Sequence, residues 1–246
     1  MVDQSAAPAT PNRIDLPGTA EETWHAWAGL ERLPAADPLG WPSVAVVAAH
    51  PDDEILGVGG TMSMLAGAGA RLRLIAVTDG EASHPGADPE VIARVRTAES
   101  VAARHVLGVQ DIEVIRLRLP DTGLSDREDE LAARLRELCA GFAVCLAPWE
   151  GDVHADHEAA GRAARRTGQR VLSYPIWMWH WAEPADRRVP WPQACRIPLT
   201  ADLAALKADA IQAFASQLTD RAGATGPVLP REVVAHFTRP QEVLLR

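Results

Sequence analysis

The chain reads as an α/β fold, a mostly parallel sheet layered between helices, and three observations predict it. Short Val-, Ile- and Leu-rich runs alternate with amphipathic stretches of helical period from residue 44 onward. Strands that alternate with helices form βαβ units, whose crossovers cover both faces of a parallel sheet. The two clusters densest in His and Asp each follow a strand and precede a helix, where open α/β sheets place their sites.

The elements follow in order. Residues 1–20, rich in Ala, Pro and Thr, are expected to be disordered. Helical spacing runs through Trp24, Trp27 and Leu30, and Pro34–Pro42 is a turn-rich connector. Val44–Ala49 is an apolar run of strand length, so a buried strand is predicted, followed by a helix over Ile55–Ala68. Arg71–Thr78 is a second strand and 79–88 a Gly- and Pro-bearing loop. Pro89–Leu107 is an amphipathic helix that Gly108 stops. Further strands are predicted over 111–116, 144–147 and 170–176, with helices over 128–141 and 157–167. A long helix over 201–218 and a late strand over 242–245 complete the chain. No internal repeat is visible, and residues 21–246 are read as one domain.

Composition narrows the function. A net charge of −9 disfavours nucleic acid, which asks for a basic face. No polybasic stretch suits an anionic membrane surface, and no apolar run is long enough to cross a bilayer. The first 20 residues lack the basic and apolar regions of a signal peptide, so a cytoplasmic protein is expected. Cys139, Cys145 and Cys195 show no paired spacing and are expected to be buried thiols.

The chemistry concentrates in His50-Pro51-Asp52-Asp53 and in His154-Ala155-Asp156-His157. Both fall at the same edge of a parallel sheet, so they can meet. Catalytic zinc takes three protein ligands and leaves a position for water. His50 and Asp53, three residues apart, can chelate from one loop, and His157 can complete the set. Asp52 and His154 are then free for proton transfer and oxyanion stabilisation, the two roles that amide hydrolysis needs beside a metal. Asp156 is expected to orient a neighbouring histidine from outside the ligand set. Glu54 suits the first turn of a helix through the macrodipole. His25, His84, His105, His180 and His236 carry no such pattern and are read as ordinary surface or core residues.

At these residues the chain resembles the PIG-L/LmbE-like zinc N-deacetylases, through Ala49–Glu54 and His154–His157. The likeness continues at Thr78-Asp79-Gly80, Arg96, Glu99, Pro120–Gly123 and the Lys207–Gln217 stretch, and spans roughly residues 44 to 220. It implies a Rossmann-like three-layer α/β/α fold. It also implies one Zn2+ per chain on His50, Asp53 and His157, with another divalent metal such as Fe2+ as the alternative. Asp52 is the implied general base, and His154 stabilises the oxyanion or serves as the acid. Arg96 and Asp121 match polar positions that contact substrate or brace the pocket. The implied reaction removes an acyl group, commonly acetyl, from the amine of an N-acetylglucosamine-like sugar; larger thiol or natural-product glycoconjugates are the alternative substrates. Phe214 stands where relatives often carry His, a departure that puts the usual substrate in question.

Trp177, Trp179 and Trp181 lie at period two, so as a strand they would share one face. Core packing, an aromatic wall for a sugar or acyl chain, and an interface between copies of the chain are the readings this leaves open. Three rival functions remain. His50-Pro51-Asp52 is also the His-x-Asp of an Fe(II) oxygenase triad, which would sit on an all-β double-stranded helix. Gly57–Gly60 is a faint glycine-rich phosphate loop beside an acidic turn. A non-catalytic carbohydrate-binding relative is the third.

Overall fold

The computed structural model describes residue 14, residues 16–221, residue 223 and residues 226–246; residues 1–13 and 15, within the stretch expected to be disordered, lie outside them. Seven strands form one sheet in the order β3-β2-β1-β4-β5-β7-β6. The strands are β1 (Ser43–Ala48), β2 (Arg71–Ala76), β3 (Glu113–Arg116), β4 (Val144–Pro148), β5 (Val171–Tyr174), β6 (Ala194–Pro198) and β7 (Gln241–Leu245). The first five run parallel, and β7 is antiparallel to both β5 and β6. The open, mostly parallel sheet is the architecture the alternation predicts, and it is not the double-stranded helix of the oxygenase reading.

The helices are α1 (Glu21–His25), α2 (Asp53–Gly67), α3 (Pro89–Val106), α4 (Glu128–Leu138), α5 (Ala155–Arg165), α6 (Met178–Trp181), α7 (Ala201–Ile211), α8 (Ala215–Leu218) and α9 (Arg231–Ala235). Strand geometry sends alternate side chains to opposite faces. Val44, Val46 and Ala48 of β1 join one core with Leu56 and Met62 of α2, Leu107 after α3 and Ile211 of α7. Ala45, Val47 and Ala49 join the other with Leu131 and Leu135 of α4 and Ala159 and Ala163 of α5. Every residue of β1 and β4 is buried, as expected of central strands covered on both faces. Cys139, Cys145 and Cys195 are buried free thiols, as expected. No helix among the described residues is long and apolar enough to cross a membrane.

Three expectations are corrected, and one strand was not expected. The segment 177–181 is not a strand: Met178–Trp181 is a helical turn, so its indoles do not share one face. Strand β6 has no strong sequence signal; its Arg196 and Pro198 are tolerated at the sheet edge. The helix over 201–218 is two helices, broken at Ala213–Phe214. The helical spacing through Trp24, Trp27 and Leu30 forms a helix only to His25 and continues as turns.

Helix α2 kinks at Val58 (φ −141°, ψ 20°), which frees the Gly60 and Thr61 N–H groups. Both donate to the Glu242 carboxylate of β7 at 2.8 Å, and Lys207 Nζ of α7 donates to it at the same distance. The Gly57–Gly60 run therefore serves packing: a Cβ at Gly57 would lie 2.2 Å from the Tyr174 ring, and one at Gly60 2.7 Å from Leu199. Lys207→Met should strand the buried Glu242 charge and cost about 3–5 kcal/mol. A urea midpoint equal to that of the parent protein would mean the α2 amides alone neutralise Glu242.

Candidate active site

Strand β1 is flanked by β2 on one side and β4 on the other, so strand order reverses there. Loops at the carboxyl ends of β1 and β4 meet over this switch point, where open α/β sheets form a crevice. The first loop turns sharply. Asp52 takes φ +149°, a conformation rare for a side-chain-bearing residue, at a cost of about 1–3 kcal/mol. Glu54 holds the turn: its Oε2 accepts the Asp52 N–H at 3.2 Å and its Oε1 the Ser100 hydroxyl at 3.0 Å. In the second loop His154 caps α5, accepting the Asp156 N–H at Nδ1.

Three donors converge. His50 Nδ1 lies 3.2 Å from His157 Nε2 and 3.6 Å from Asp53 Oδ2, and His157 Nε2 lies 3.3 Å from Asp53 Oδ1. Ligands about 2.0–2.1 Å from a tetrahedral ion stand about 3.3–3.4 Å apart, so this triangle has the dimensions of one face of such a site. The far side of each imidazole is tied to carboxylate. His157 Nδ1 donates to Asp152 Oδ2 at 2.7 Å, and His50 Nε2 is shared by Asp121 Oδ1 at 3.1 Å and Asp156 Oδ2 at 3.2 Å. Those bonds fix the tautomers and turn His50 Nδ1 and His157 Nε2 inward as lone-pair donors. Two further groups are compact: His50 and His157 with His154, and His50, Asp121 and Asp156 on the outer edge of the His50 ring.

Electrostatics agree with the donor set. Five carboxylates, Asp52, Asp53, Asp121, Asp152 and Asp156, surround two buried imidazoles. Burial works against charge on His50, yet Asp121, Asp156 and Asp53 outweigh it and raise its pKa well above the usual value. For His157 burial is likewise overcome, by Asp53 and Asp152, and its pKa rises to about 9. Burial would raise Asp53, but the two imidazoles hold it well below the carboxylate range. A divalent cation would replace the protons that this excess of negative charge retains.

Asp52 and His154 flank the triangle. Burial pushes Asp52 up to about 7, against the pull of Arg96. Arg96 Nη2 donates to Asp52 Oδ2 at 3.0 Å and to the Pro51 carbonyl at 3.0 Å, leaving Asp52 Oδ1 without a partner among the described residues. Gly80 is obligatory beside it: a Cβ there would lie 2.1 Å from the Arg96 guanidinium, and the backbone is at φ +67°. Burial and the neighbouring His157 and His50 lower His154 to about 3, so it is neutral. With Nδ1 accepting, its proton sits on Nε2.

Arg96 and Asp121 line the cavity, and each also braces a neighbour, Asp52 and His50 respectively. Asp156 orients His50, and its own oxygens accept the Thr122 and Leu124 N–H groups. Asp152 is a site residue that sequence reading missed. It is fully buried, and besides His157 it accepts the N–H groups of Ile176, Trp177 and Met178 at 2.9–3.0 Å. Its only sequence signal is its place five residues before His157, in a turn where Asp is ordinary. Asp152→Asn puts an amide N–H where an acceptor is needed, and should weaken divalent-metal affinity about 10–100-fold. Metal titration checks this; an unchanged Kd would remove Asp152 from the site.

The cavity holds about 200 Å³ and is also lined by Trp177, Gln217 and Arg221. Of the Trp segment only Trp177 reaches it. Trp179 packs into a cluster with Trp24 and Trp191, and Trp181 stacks on Trp149 with Arg188 over its ring. Phe214 is buried in the core and does not line the cavity, nor do His25, His84, His105, His180 or His236. Arg96 Nε and Gln217 Oε1 are buried polar atoms without partners among the described residues.

Residues 45–167, half of the chain, match the family described as GlcNAc-PI de-N-acetylase (PIG-L). The chain is 40% identical over 90 residues, 34% of its length and 24% of the relative's, to a 1D-myo-inositol 2-acetamido-2-deoxy-alpha-D-glucopyranoside deacetylase of Kineococcus radiotolerans. It is 34% identical over 155 residues, 52% of its length and 51% of the relative's, to deacetylase 2 of the same name from Catenulispora acidiphila. The chain thus spans about half or less of the length of these two curated relatives. Among solved structures, N,N'-diacetylchitobiose deacetylase from Pyrococcus horikoshii superposes with a TM-score of 0.58 at 20% identity, over 84% of this chain and 82% of that one, a likeness of fold.

Proposed function

Since the chain belongs to the GlcNAc-PI de-N-acetylase (PIG-L) family, we propose that it hydrolyses the N-acyl amide of an N-acetylated amino-sugar conjugate with a divalent metal held by His50, Asp53 and His157. The observation that carries this reading is the 3.2–3.6 Å triangle of His50 Nδ1, Asp53 and His157 Nε2. Two imidazoles and one carboxylate with carboxylate-anchored rings suit zinc, with Fe2+ second, one ion per chain. Bound there, the ion supplies Lewis acidity to the amide oxygen and acidifies the attacking water.

The protein's own groups do the rest. Asp52 Oδ1 takes the proton from water as its oxygen adds to the amide carbon. Arg96 keeps the other oxygen occupied, so the basic lone pair has one direction. The His154 Nε2–H donates to the carbonyl oxygen as negative charge builds there; a neutral imidazole suits this because it does not repel the metal. Asp52 then returns the proton to the departing amine as the C–N bond breaks, releasing acetate and the free amino sugar.

The cavity of about 200 Å³ is smaller than the ~300–1,000 Å³ of pockets that enclose drug-sized ligands. It suits one sugar ring with its acyl group, the aglycone extending outward. Arg96 and Gln217 line the cavity, and Trp177 offers an apolar face to the ring or acyl group. The deciding experiment pairs metal content with amine release from N-acetylglucosamine and its glycosides. About one zinc per chain with amine release supports the proposal; no bound metal after reconstitution refutes it.

A further inference from the structure

We propose that Cys139 and Cys145 form an oxidisable thiol pair that peroxide closes to a disulfide and dithiols reopen, a modification site apart from the catalytic crevice. Cys139 caps the carboxyl end of α4, and Cys145 is the second residue of β4. The turn between them folds the chain back and brings the two sulfur atoms to 3.8 Å, where the Cys139 thiol donates to Cys145. A disulfide holds its sulfur atoms about 2.05 Å apart, so a small further approach completes the bond. Both side chains belong to the core that α4 and α5 cover. Cys195, the third thiol, belongs to the other core and has neither of them beside it.

The surroundings make the two thiols unequal. Arg71 and Arg73 of β2 hold the turn: Arg71 Nη2 donates to the Gly141 carbonyl at 2.7 Å and Arg73 Nη1 to the Leu138 carbonyl at 2.6 Å, and both guanidiniums lie over the Phe142 ring. The Cys145 thiol and the Arg73 guanidinium hold the Cys139 pKa below the usual thiol value, while the bond to Cys139 and burial push Cys145 well up. The thiolate is the reactive form, so Cys139 reacts first. Both sulfur atoms are buried, but Ala140 and Gly141 next to Cys139 are exposed, so a local opening of this turn admits a molecule as small as hydrogen peroxide. The Cys139 thiolate attacks the O–O bond and becomes a sulfenic acid, and the hydroxide it expels leaves as water with the proton the thiol had lost. The Cys145 thiol then attacks the sulfenic sulfur, forming the S–S bond and releasing a second water. Two thiols are oxidised and one peroxide is reduced to two waters. Cys145 thereby spares Cys139 from further oxidation, which would put an ionised sulfinic acid into a core built of Leu131, Leu135 and Ala160. The pair lies toward the amino end of β4, whereas the catalytic loop leaves its carboxyl end, so the inference stands independently of the deacetylase reading.

The test treats the folded full chain with hydrogen peroxide under conditions that fully oxidise N-acetylcysteine in a parallel sample. Thiols are then counted in denaturant, and the linkage is mapped by peptide mass. The three thiols should fall to one, Cys195, with Cys139 joined to Cys145 of the same chain, and dithiothreitol should restore all three. Circular dichroism during the treatment should show the sheet and helices intact. In Cys145→Ala the same treatment should carry Cys139 to sulfinic or sulfonic acid, which dithiothreitol does not reverse, and lower the Tm. In Cys139→Ala the Cys145 thiol should survive. Three surviving thiols in the parent protein, over-oxidation of Cys139 there in place of the disulfide, or pairing that appears only once the chain has unfolded, overturns the inference. Loss of the Cys145 thiol in Cys139→Ala at the parent rate does the same, since Cys139 would then not be the attacking group.

Discussion

Asp52→Asn should lower kcat by about 10²–10⁴ while the protein keeps its full complement of divalent metal. The amide has nearly the shape of the carboxylate and can still accept from Arg96 Nη2, so the loop between β1 and α2 should hold. What it loses is the basic lone pair at Oδ1. The pH profile gives a second readout. The base must be ionised to work, so activity should fall as pH drops through the Asp52 pKa. Burial places that pKa at about 7, and a dication on the adjacent triangle would pull it lower, so the acid limb should lie below pH 7. Asp52→Asn should remove that limb from the residual activity. Loss of metal in this variant, or an unchanged acid limb, would overturn the role of Asp52.

His157→Ala should abolish both metal retention and turnover. Its Nε2 is one corner of the triangle, and its Nδ1–H is what the buried Asp152 carboxylate pairs with. Removing the ring deletes a ligand and leaves Asp152 held only by the three backbone N–H groups around Ile176–Met178. Metal content after dialysis is the direct measurement, with far-ultraviolet circular dichroism to show that the sheet and helices persist. A folded variant that retains one metal per chain would exclude His157 as a ligand.

Much of the candidate site was legible because its two halves are local in sequence. His50, Asp52 and Asp53 fall within four residues, as do His154, Asp156 and His157, and each set occupies one loop at a strand end. Apolar runs of strand length located the strands they follow. Asp152 and Arg221 were not legible, since each stands in a stretch whose composition suits an ordinary turn or helix end. Their place in the site comes from what the fold brings near them: His157 and the amides of 176–178 for Asp152, and the cavity for Arg221. The indoles of 177–181 misled for a related reason. Period two suggested a strand, but the Asp152 carboxylate gathers the first amides of a helical turn, and that long-range contact overrode the local pattern.

By itself the sequence determined the α/β alternation, the burial of β1 and β4, and the types of ligand and proton-transfer group available, because periodicity and side-chain chemistry are local properties. Tertiary structure alone decided the rest. Parallel pairing of β1 with β4 set two loops about a hundred residues apart over one point, and the outer carboxylates chose which nitrogen of each imidazole faces inward. The antiparallel β6–β7 edge, the α2 kink over Glu242 and the break at Phe214 likewise follow from packing between distant segments, where buried amides and charges must find partners that no neighbouring residue supplies.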